Sequence, residues 1–391
     1  MPESLRVMIS AGELSGDMHG AALASEARRS GTGLEFFGLG GDRMAAAGVD
    51  LRAHISETAV MGLTEVLGSL RRILSVRRRL ASLVSSERPR ALVLIDSPDL
   101  NQALARAAFR AGVPVIYYIC PQVWAWRRGR IRWLRRLVSR RAVIFPFEKE
   151  FLDREGLSSD LVGHPLLDEL PLRLSPEEAR RGLGLPPWSN VLAVLPGSRK
   201  AVARRLAGPM LGAVDLLLDS FPDLVPVIPR PDTLPADLLL DLVGKASRRV
   251  RDRIVVREGR SHEVLRAARA ALLASGTSTV EGAVLGTPMV VTYRVSALSW
   301  LLARLLVKVP FVSIANLLAG AEIVPELLQD RCRPEDLARE VEPLLAGGPR
   351  RQAMLDGLAG AASRLGGPGA SARVLDIIMQ EIGAAHDRDI V

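Results

Sequence analysis

Short runs of aliphatic and β-branched residues alternate with helix-patterned stretches along most of the chain. The runs cover residues 6–10, 91–95, 115–119, 142–145, 191–195, 225–228, 254–256 and 271–274. Several are apolar at every position. Strands covered on both faces require this, whereas half-exposed strands alternate between polar and apolar. Helical patterns follow most of the runs, for example over residues 18–29 and 101–111. Such alternation predicts parallel sheets flanked by helices on both faces.

Between residues 163 and 190 the pattern is interrupted by a stretch rich in Pro and Gly. Within it, Ser175-Pro176-Glu177-Glu178 has the form of a helix start, with a capping serine and acidic residues in the first turn. A second strand–helix series begins at Val191. With 391 residues and 48% hydrophobic content the chain exceeds what one core usually serves. The expected architecture is therefore α/β, with two Rossmann-like doubly wound domains facing a cleft. An N-terminal domain is placed at 1–170 and a C-terminal domain at 171–365, with a tail at 366–391 that returns to the first domain. Ligands of such sheets sit at the carboxyl ends of the strands, so the loops there are where chemistry is sought.

Charge narrows the class. The 52 basic and 43 acidic residues give a net charge of +9, which predicts attraction to a polyanion without saying which. The two cysteines, Cys120 and Cys332, are far apart and have no metal-ligand spacing, consistent with a reduced cytoplasmic protein. The first residues resemble the lead-in to a strand rather than a secretory signal. Only residues 297–320 approach the hydrophobicity of a membrane span, and Arg304, Lys308 and Pro310 interrupt them.

Four loops carry candidate chemistry. After the first run, Gly12, Gly16 and Gly20 allow backbone amides to approach a ligand, with Glu13, Ser15 and Asp17 facing it; the bland reading is a turn capped by Ser15 or Asp17. Residues 91–95 lead into Asp96-Ser97-Pro98-Asp99, two carboxylates where a general base belongs, although one of them is also suited to capping the next helix. In the second half, Gly197, Ser198 and Arg199 offer donors and charge to a diphosphate. Ser275, Gly276 and Thr277 form a similar turn, and Glu281, one helical turn on, suits a ribose diol. For both of these segments a plain strand-to-helix turn is the bland reading.

Two further segments suit a lipid surface. Trp124, Trp126, Arg127, Arg128, Arg130 and Trp133 begin a basic aromatic block that continues to Arg141. Residues 60–70, including Met61, are densely apolar just before the arginines at 71–79. The same basic block also suits single-stranded nucleic acid, or a solvated helix with buried tryptophans.

Other chemistries lack their signatures. Gly38-Leu39-Gly40 continues to Arg43 where a dinucleotide motif needs its third glycine, and there is no Walker sequence or zinc-protease histidine pair. The only Asp-x-Asp, at Asp387 and Asp389, lies in the polar tail. Metal-independent transfer with no cofactor is therefore expected.

Taken in order, these motifs resemble the lipid-A-disaccharide synthase family. The residues that carry the resemblance are Gly12-Glu13-x-Ser15-Gly16-Asp17, Val60-Met61-Gly62, Asp96-x-Pro98-Asp99-x-Asn101, Val123-Trp124-Ala125-Trp126-Arg127, Phe145-Pro146-Phe147-Glu148, Gly163-His164, Leu195-Pro196-Gly197-Ser198-Arg199, Ser275-Gly276-Thr277 and Asn316-Leu317-Leu318-Ala319-Gly320. Val202, Arg204 and Ala315 depart from it. The resemblance implies a GT-B glycosyltransferase that passes 2,3-diacylglucosamine from UDP onto 2,3-diacylglucosamine 1-phosphate with inversion. Asp96, fixed at the end of an apolar strand, is the expected base, with Glu13 and Asp99 as the other candidates, and the resemblance adds Asn316 to the UDP-sugar contacts. It also implies peripheral attachment to the anionic inner face of the bacterial inner membrane, no nucleic-acid partner, and a chain that is compatible with a homodimer. The competing readings are another UDP-sugar transferase or an epimerase of the same fold, the latter needing no lipid surface, and a nucleic-acid-binding protein, which leaves the strand-end carboxylates idle.

Overall fold

Each apolar run identified above overlaps a strand, although residues 119, 144, 145 and 254 fall just outside. A computed structural model describes residues 5–58, 66–124, 128–306 and 309–389. The chain divides into two compact units, residues 1–168 with 367–391, and residues 169–366.

The first unit holds a parallel sheet of β1 (Leu5–Ala11), β2 (Leu34–Gly40), β3 (Asp50–His54), β4 (Ala91–Ile95), β5 (Val115–Tyr118), β6 (Arg140–Val143) and β7 (Asp160–Leu161) in the order 3-2-1-4-5-6-7. All five residues of β4 are fully buried. A fully buried aliphatic side chain of this kind contributes about 1.5–3 kcal/mol. The pattern overlooked β2, whose Gly38 and Gly40 were weighed as part of a nucleotide motif, and β3, which is polar and lies at the sheet edge. The C-terminal helix Ala370–Asp389 belongs to this unit: Arg373 Nε donates to the Val162 carbonyl at 2.8 Å, and Arg140 pairs with Glu381 at 3.6 Å.

The second unit holds β8 (Asn190–Leu195), β9 (Leu224–Arg230), β10 (Val255–Glu258), β11 (Ala270–Ala274), β12 (Met289–Tyr293) and β13 (Glu326–Leu328), again all parallel, in the order 10-9-8-11-12-13. Its lead-in helix Pro176–Gly182 is closed by the expected capping box: Glu178 N donates to Ser175 Oγ at 3.1 Å, and Ser175 N donates to the Glu178 carboxylate at 2.8 Å. Residues 297–320 form two helices, Ala297–Leu306 and Ile314–Ala319. Among the described residues no helix is long and apolar enough to cross a membrane.

Both sheets reverse their strand order once, between β1 and β4 and between β8 and β11. Ala11 pairs with Ile95 in the first sheet and Leu195 with Leu273 in the second. Chain leaving those strands emerges side by side at each reversal, which is where α/β sheets bind ligands.

Candidate active site

At the β1/β4 reversal stand Glu13 and Asp96. Glu13 is exposed at the N-cap of the helix Leu14–Arg29 and makes no side-chain capping bond. Asp96 follows β4 directly, with φ +45°, and Ser97 after it has φ +42°. Two consecutive non-glycine residues in the left-handed region cost about 1–3 kcal/mol each, so neighbouring groups must hold them there. Three hydrogen bonds do so. Asn101 Nδ2 donates to the carbonyls of Asp96 at 2.7 Å and Ile95 at 3.2 Å, and the Tyr117 hydroxyl donates to the Asp96 carbonyl at 2.5 Å. Gly12 makes room for the turn, since a Cβ there would lie 2.6 Å from Ser97 Oγ.

The electrostatics suit a base. Burial pushes the Asp96 carboxyl above its ordinary pKa and the nearby Glu13 charge adds to this, while the Ser97 amide and Arg130 oppose it. A carboxylate moved toward neutrality is a better proton acceptor at working pH. Asp99 is differently placed. It lies in the first turn of the helix Pro98–Ala111, largely exposed, and pairs with Arg130 at 2.7 Å. The expected capping role falls away, because Ser97 is the N-cap and no side chain caps the helix. Asp17 also differs from expectation: it is buried and faces inward. Its carboxylate accepts the amides of Gly41, Arg43 and Met44 and so caps the helix Asp42–Ala46 instead of its own.

At the β8/β11 reversal the groups are of another kind. Gly197 has φ +106°, and a Cβ there would lie 2.9 Å from Val202 Cγ1 and 3.4 Å from Ala274 Cβ, so the loop after β8 passes close to the end of β11. Ser198, Arg199 and Thr277 are exposed, and Arg199 is the N-cap of the helix Lys200–Ser220. Three hydroxyls of the second loop are already used. Ser275 donates to the Val312 carbonyl, Ser278 to Ala274 and Thr279 to Gly276. What this turn offers an anion is therefore its backbone and the exposed Thr277 rather than the row of hydroxyls expected. Glu281 lies 3.7 Å from His262 Nε2, and that contact raises the histidine's pKa.

Asn316 requires a correction. It is fully buried, and its side chain is spent on the carbonyl of Val324, the carboxylate of Glu326 and the amides of Ile323 and Val324. Such a saturated amide organises a loop and has no group left for a sugar nucleotide.

The model of the family described as lipid-A-disaccharide synthetase matches residues 7–358. Relatives named lipid-A-disaccharide synthase from Syntrophus aciditrophicus and Myxococcus xanthus are each 42% identical, covering 94% and 96% of this chain and 95% and 97% of theirs. The chain belongs to the lipid-A-disaccharide synthase family. It is thus a glycosyltransferase of lipid A biosynthesis using a UDP-sugar and a sugar-phosphate acceptor. Solved structures share the GT-B fold at low identity. A UDP-GlcNAc 2-epimerase from Neisseria meningitidis has a TM-score of 0.65 at 13% identity, covering 96% of this chain and all of that one. MurG from Acinetobacter baumannii has a TM-score of 0.58 at 16% identity, covering 96% and 99%.

In this synthase the basic aromatic block divides. Met61, Trp126 and Arg127 lie outside the described residues, as does the side chain of Arg128. Ser15 is exposed beside Glu13. Trp124 is turned inward: its indole donates to Glu148 at 3.1 Å and its ring meets Phe147 edge-on. Trp133 packs in the core against Tyr117, and buried Arg141 serves the carbonyls of Leu134, Val138 and Ser158. Arg132, Arg135 and Arg136 of the helix Ile131–Leu137 remain at the surface.

Sequence reasoning quoted Glu148 and His164 without assigning them a task. Glu148 is buried, accepts the amides of Ile144 and Phe145 as well as the Trp124 indole, and is pushed up to about 7 chiefly by burial. Burial lowers His164 to about 3 and His19 to about 4. His164 Nδ1 accepts the Leu166 amide at 3.1 Å, which places the ring proton on Nε2. Among the described residues no group of three or more His, Cys, Asp or Glu is arranged to hold a metal ion.

Proposed function

We propose that this synthase transfers 2,3-diacylglucosamine from UDP to the 6-hydroxyl of 2,3-diacylglucosamine 1-phosphate, with Asp96 as the general base. The hydroxyl proton passes to the Asp96 carboxylate as the oxygen attacks the anomeric carbon. The bond from that carbon to the UDP oxygen breaks, and UDP departs with its electron pair. Inversion follows from this single displacement. Glu13 and Ser15 orient the acceptor. Gly197, Ser198, Arg199 and the backbone of Ser275, Gly276 and Thr277 hold the donor diphosphate, and Glu281 accepts the ribose diol. Asp96 carries the reading: a half-buried carboxyl of raised pKa on a braced turn at the sheet's reversal point.

The decisive experiment mixes the purified protein with both substrates and follows disaccharide and UDP together. Equal amounts of the two products are expected. UDP without disaccharide would redirect the assignment to hydrolysis, and no UDP at all would remove it.

The reading extends to peripheral attachment at the anionic cytoplasmic face of the inner membrane. It is supported by the surface arginines at 132, 135 and 136 and by Phe109, which is 52% exposed with the Arg136 guanidinium 5.7 Å from its ring. Each basic residue near such a surface contributes about 1 kcal/mol. Vesicle co-sedimentation is expected to rise with anionic lipid and fall with salt, and indifference to both would count against the attachment.

A further inference from the structure

Three observations meet at the end of β4. The backbone of Asp96 and Ser97 is left-handed, and Ile119, immediately after the neighbouring β5, has φ +59°, a conformation that β-branched residues rarely adopt. Asn101 and Ser10 are both fully buried, and the Ser10 hydroxyl donates to Asn101 Oδ1 at 2.8 Å. That bond fixes which end of the carboxamide faces β4. The amide nitrogen of Asn101 then spans the carbonyls of Ile95 and Asp96, and the buried Tyr117 hydroxyl reaches the same Asp96 carbonyl from β5.

A carbonyl held by two donors fixes the peptide plane after Asp96. Once that plane is set, the direction in which the side chain leaves the backbone is set as well. A helix or strand supplies this restraint through its own ladder, but Asp96, left-handed and beyond the last strand position, keeps only one long ladder bond, from its amide to the Tyr118 carbonyl at 3.4 Å, and its own carbonyl is held by side chains instead. We infer that Asn101, aimed by Ser10, and Tyr117 are positioning residues that clamp the Asp96 carbonyl and thereby direct its carboxyl group toward the acceptor hydroxyl. The inference rests on Asp96 being the base. Strain borne at this one turn, with buried polar groups placed to sustain it, is what an aimed group requires and a simple connection does not.

Tyr117→Phe removes one donor and keeps the ring, and Ser10→Ala frees the carboxamide to rotate. Asn101→Leu removes both of its donors but also disturbs the core, so the first two variants decide the matter. Each is compared with Asp96→Asn for kcat, for the KM of both substrates, for the pH dependence of kcat and for melting temperature.

Tyr117→Phe and Ser10→Ala are each expected to lower kcat by about five- to ten-fold, the scale of one lost hydrogen bond. Both KM values should stay within about two-fold. The acid limb of the kcat profile should move to lower pH, because a loosened Asp96 is better hydrated and burial is the main cause that raises it. Glu13, Arg130, Glu148, Tyr117 and Cys120 are the titratable groups around it. Only Tyr117 among them is altered, and only in Tyr117→Phe, so a shift in both variants would report the clamp. A purely structural role would lower the melting temperature and leave kcat and the acid limb unchanged. That result, with Asp96→Asn inactive, overturns the inference and leaves Asp96 as base. Near-normal turnover of Asp96→Asn overturns both, since the clamp would then have nothing to aim.

Discussion

The two sheets share one strand order, and their reversal points carry opposite kinds of residue. At β1/β4 a half-buried Asp96 stands near an exposed Glu13, the backbone is strained and buried polar side chains brace it. At β8/β11 the turn is built around Gly197 and Gly276, both with positive φ, and Ser198, Arg199 and Thr277 stand in solvent. The fold supplies the location in both cases and does not explain the difference. The proposed roles do: a base needs a shifted pKa and a fixed direction, which partial burial and bracing provide. A diphosphate needs charge and amides that remain hydrated until it arrives, which an exposed glycine turn with an arginine provides.

The largest expected effect tests the first reversal point. Asp96→Asn should lower kcat by roughly 100-fold or more while melting temperature and UDP binding hold, because a nearly isosteric amide cannot accept the proton. Retained turnover would send the search for a base to Glu13 or Asp99. At the second reversal point, Arg199→Ala should reduce donor kcat/KM by about ten- to a hundred-fold, the scale of a charged hydrogen-bond partner. Its melting temperature should barely move, since the side chain is exposed. Unchanged donor efficiency would remove Arg199 from the site.

Smaller effects sharpen the contrast between a buried and an open site. His19 and His164 are held below their ordinary pKa by burial, at about 4 and about 3. The unfolded chain therefore takes up protons first. The stability tied to neutral rings is complete above pH 6.5 or so and is lost as pH falls toward the folded values. Each histidine should cost about 1–2 kcal/mol of stability between pH 7 and pH 5. His164→Asn, whose carbonyl oxygen can still accept the Leu166 amide, should flatten its share of that slope in melts across pH. Gly197→Ala should destabilise by about 1–2 kcal/mol, through its positive φ and the contact with Val202, and should also weaken donor binding. The smallest change is Asp99→Asn. Its carboxylate is 80% exposed and its ion pair is screened, so stability should shift by less than about 0.5 kcal/mol and turnover by less than two-fold. A large loss of turnover would return Asp99 to the list of bases.

Much of this could be read without coordinates. Uniformly apolar runs identified most of the central strands because a strand covered on both faces needs apolar residues at every position, but the interior strands β2 and β12 were missed. Glycines and small residues after those runs marked the loops, and the ordered motifs marked the family. Edge strands such as β3 and the three-residue β13 escaped, since neither is buried enough to leave a pattern.

What tertiary structure alone decided is how each polar side chain is employed. Asp17, Asp96 and Asp99 look alike in sequence, each within two residues of a glycine or proline near a helix start. One is buried as the cap of a different helix, one is raised in pKa on a strained turn, and one is an exposed ion pair. Asn316 and Ser275 looked like ligand contacts, yet their hydrogen bonds are used within the protein. Asn101 was legible only as a motif residue, and Ser10 and Tyr117 carried no signal, because what matters is that Asn101, held by Ser10, and Tyr117 converge on one carbonyl from three different elements. Hydrophobic periodicity is a local property and survives in the sequence. The partner of a polar atom is a long-range property, and it exists only once the chain has folded.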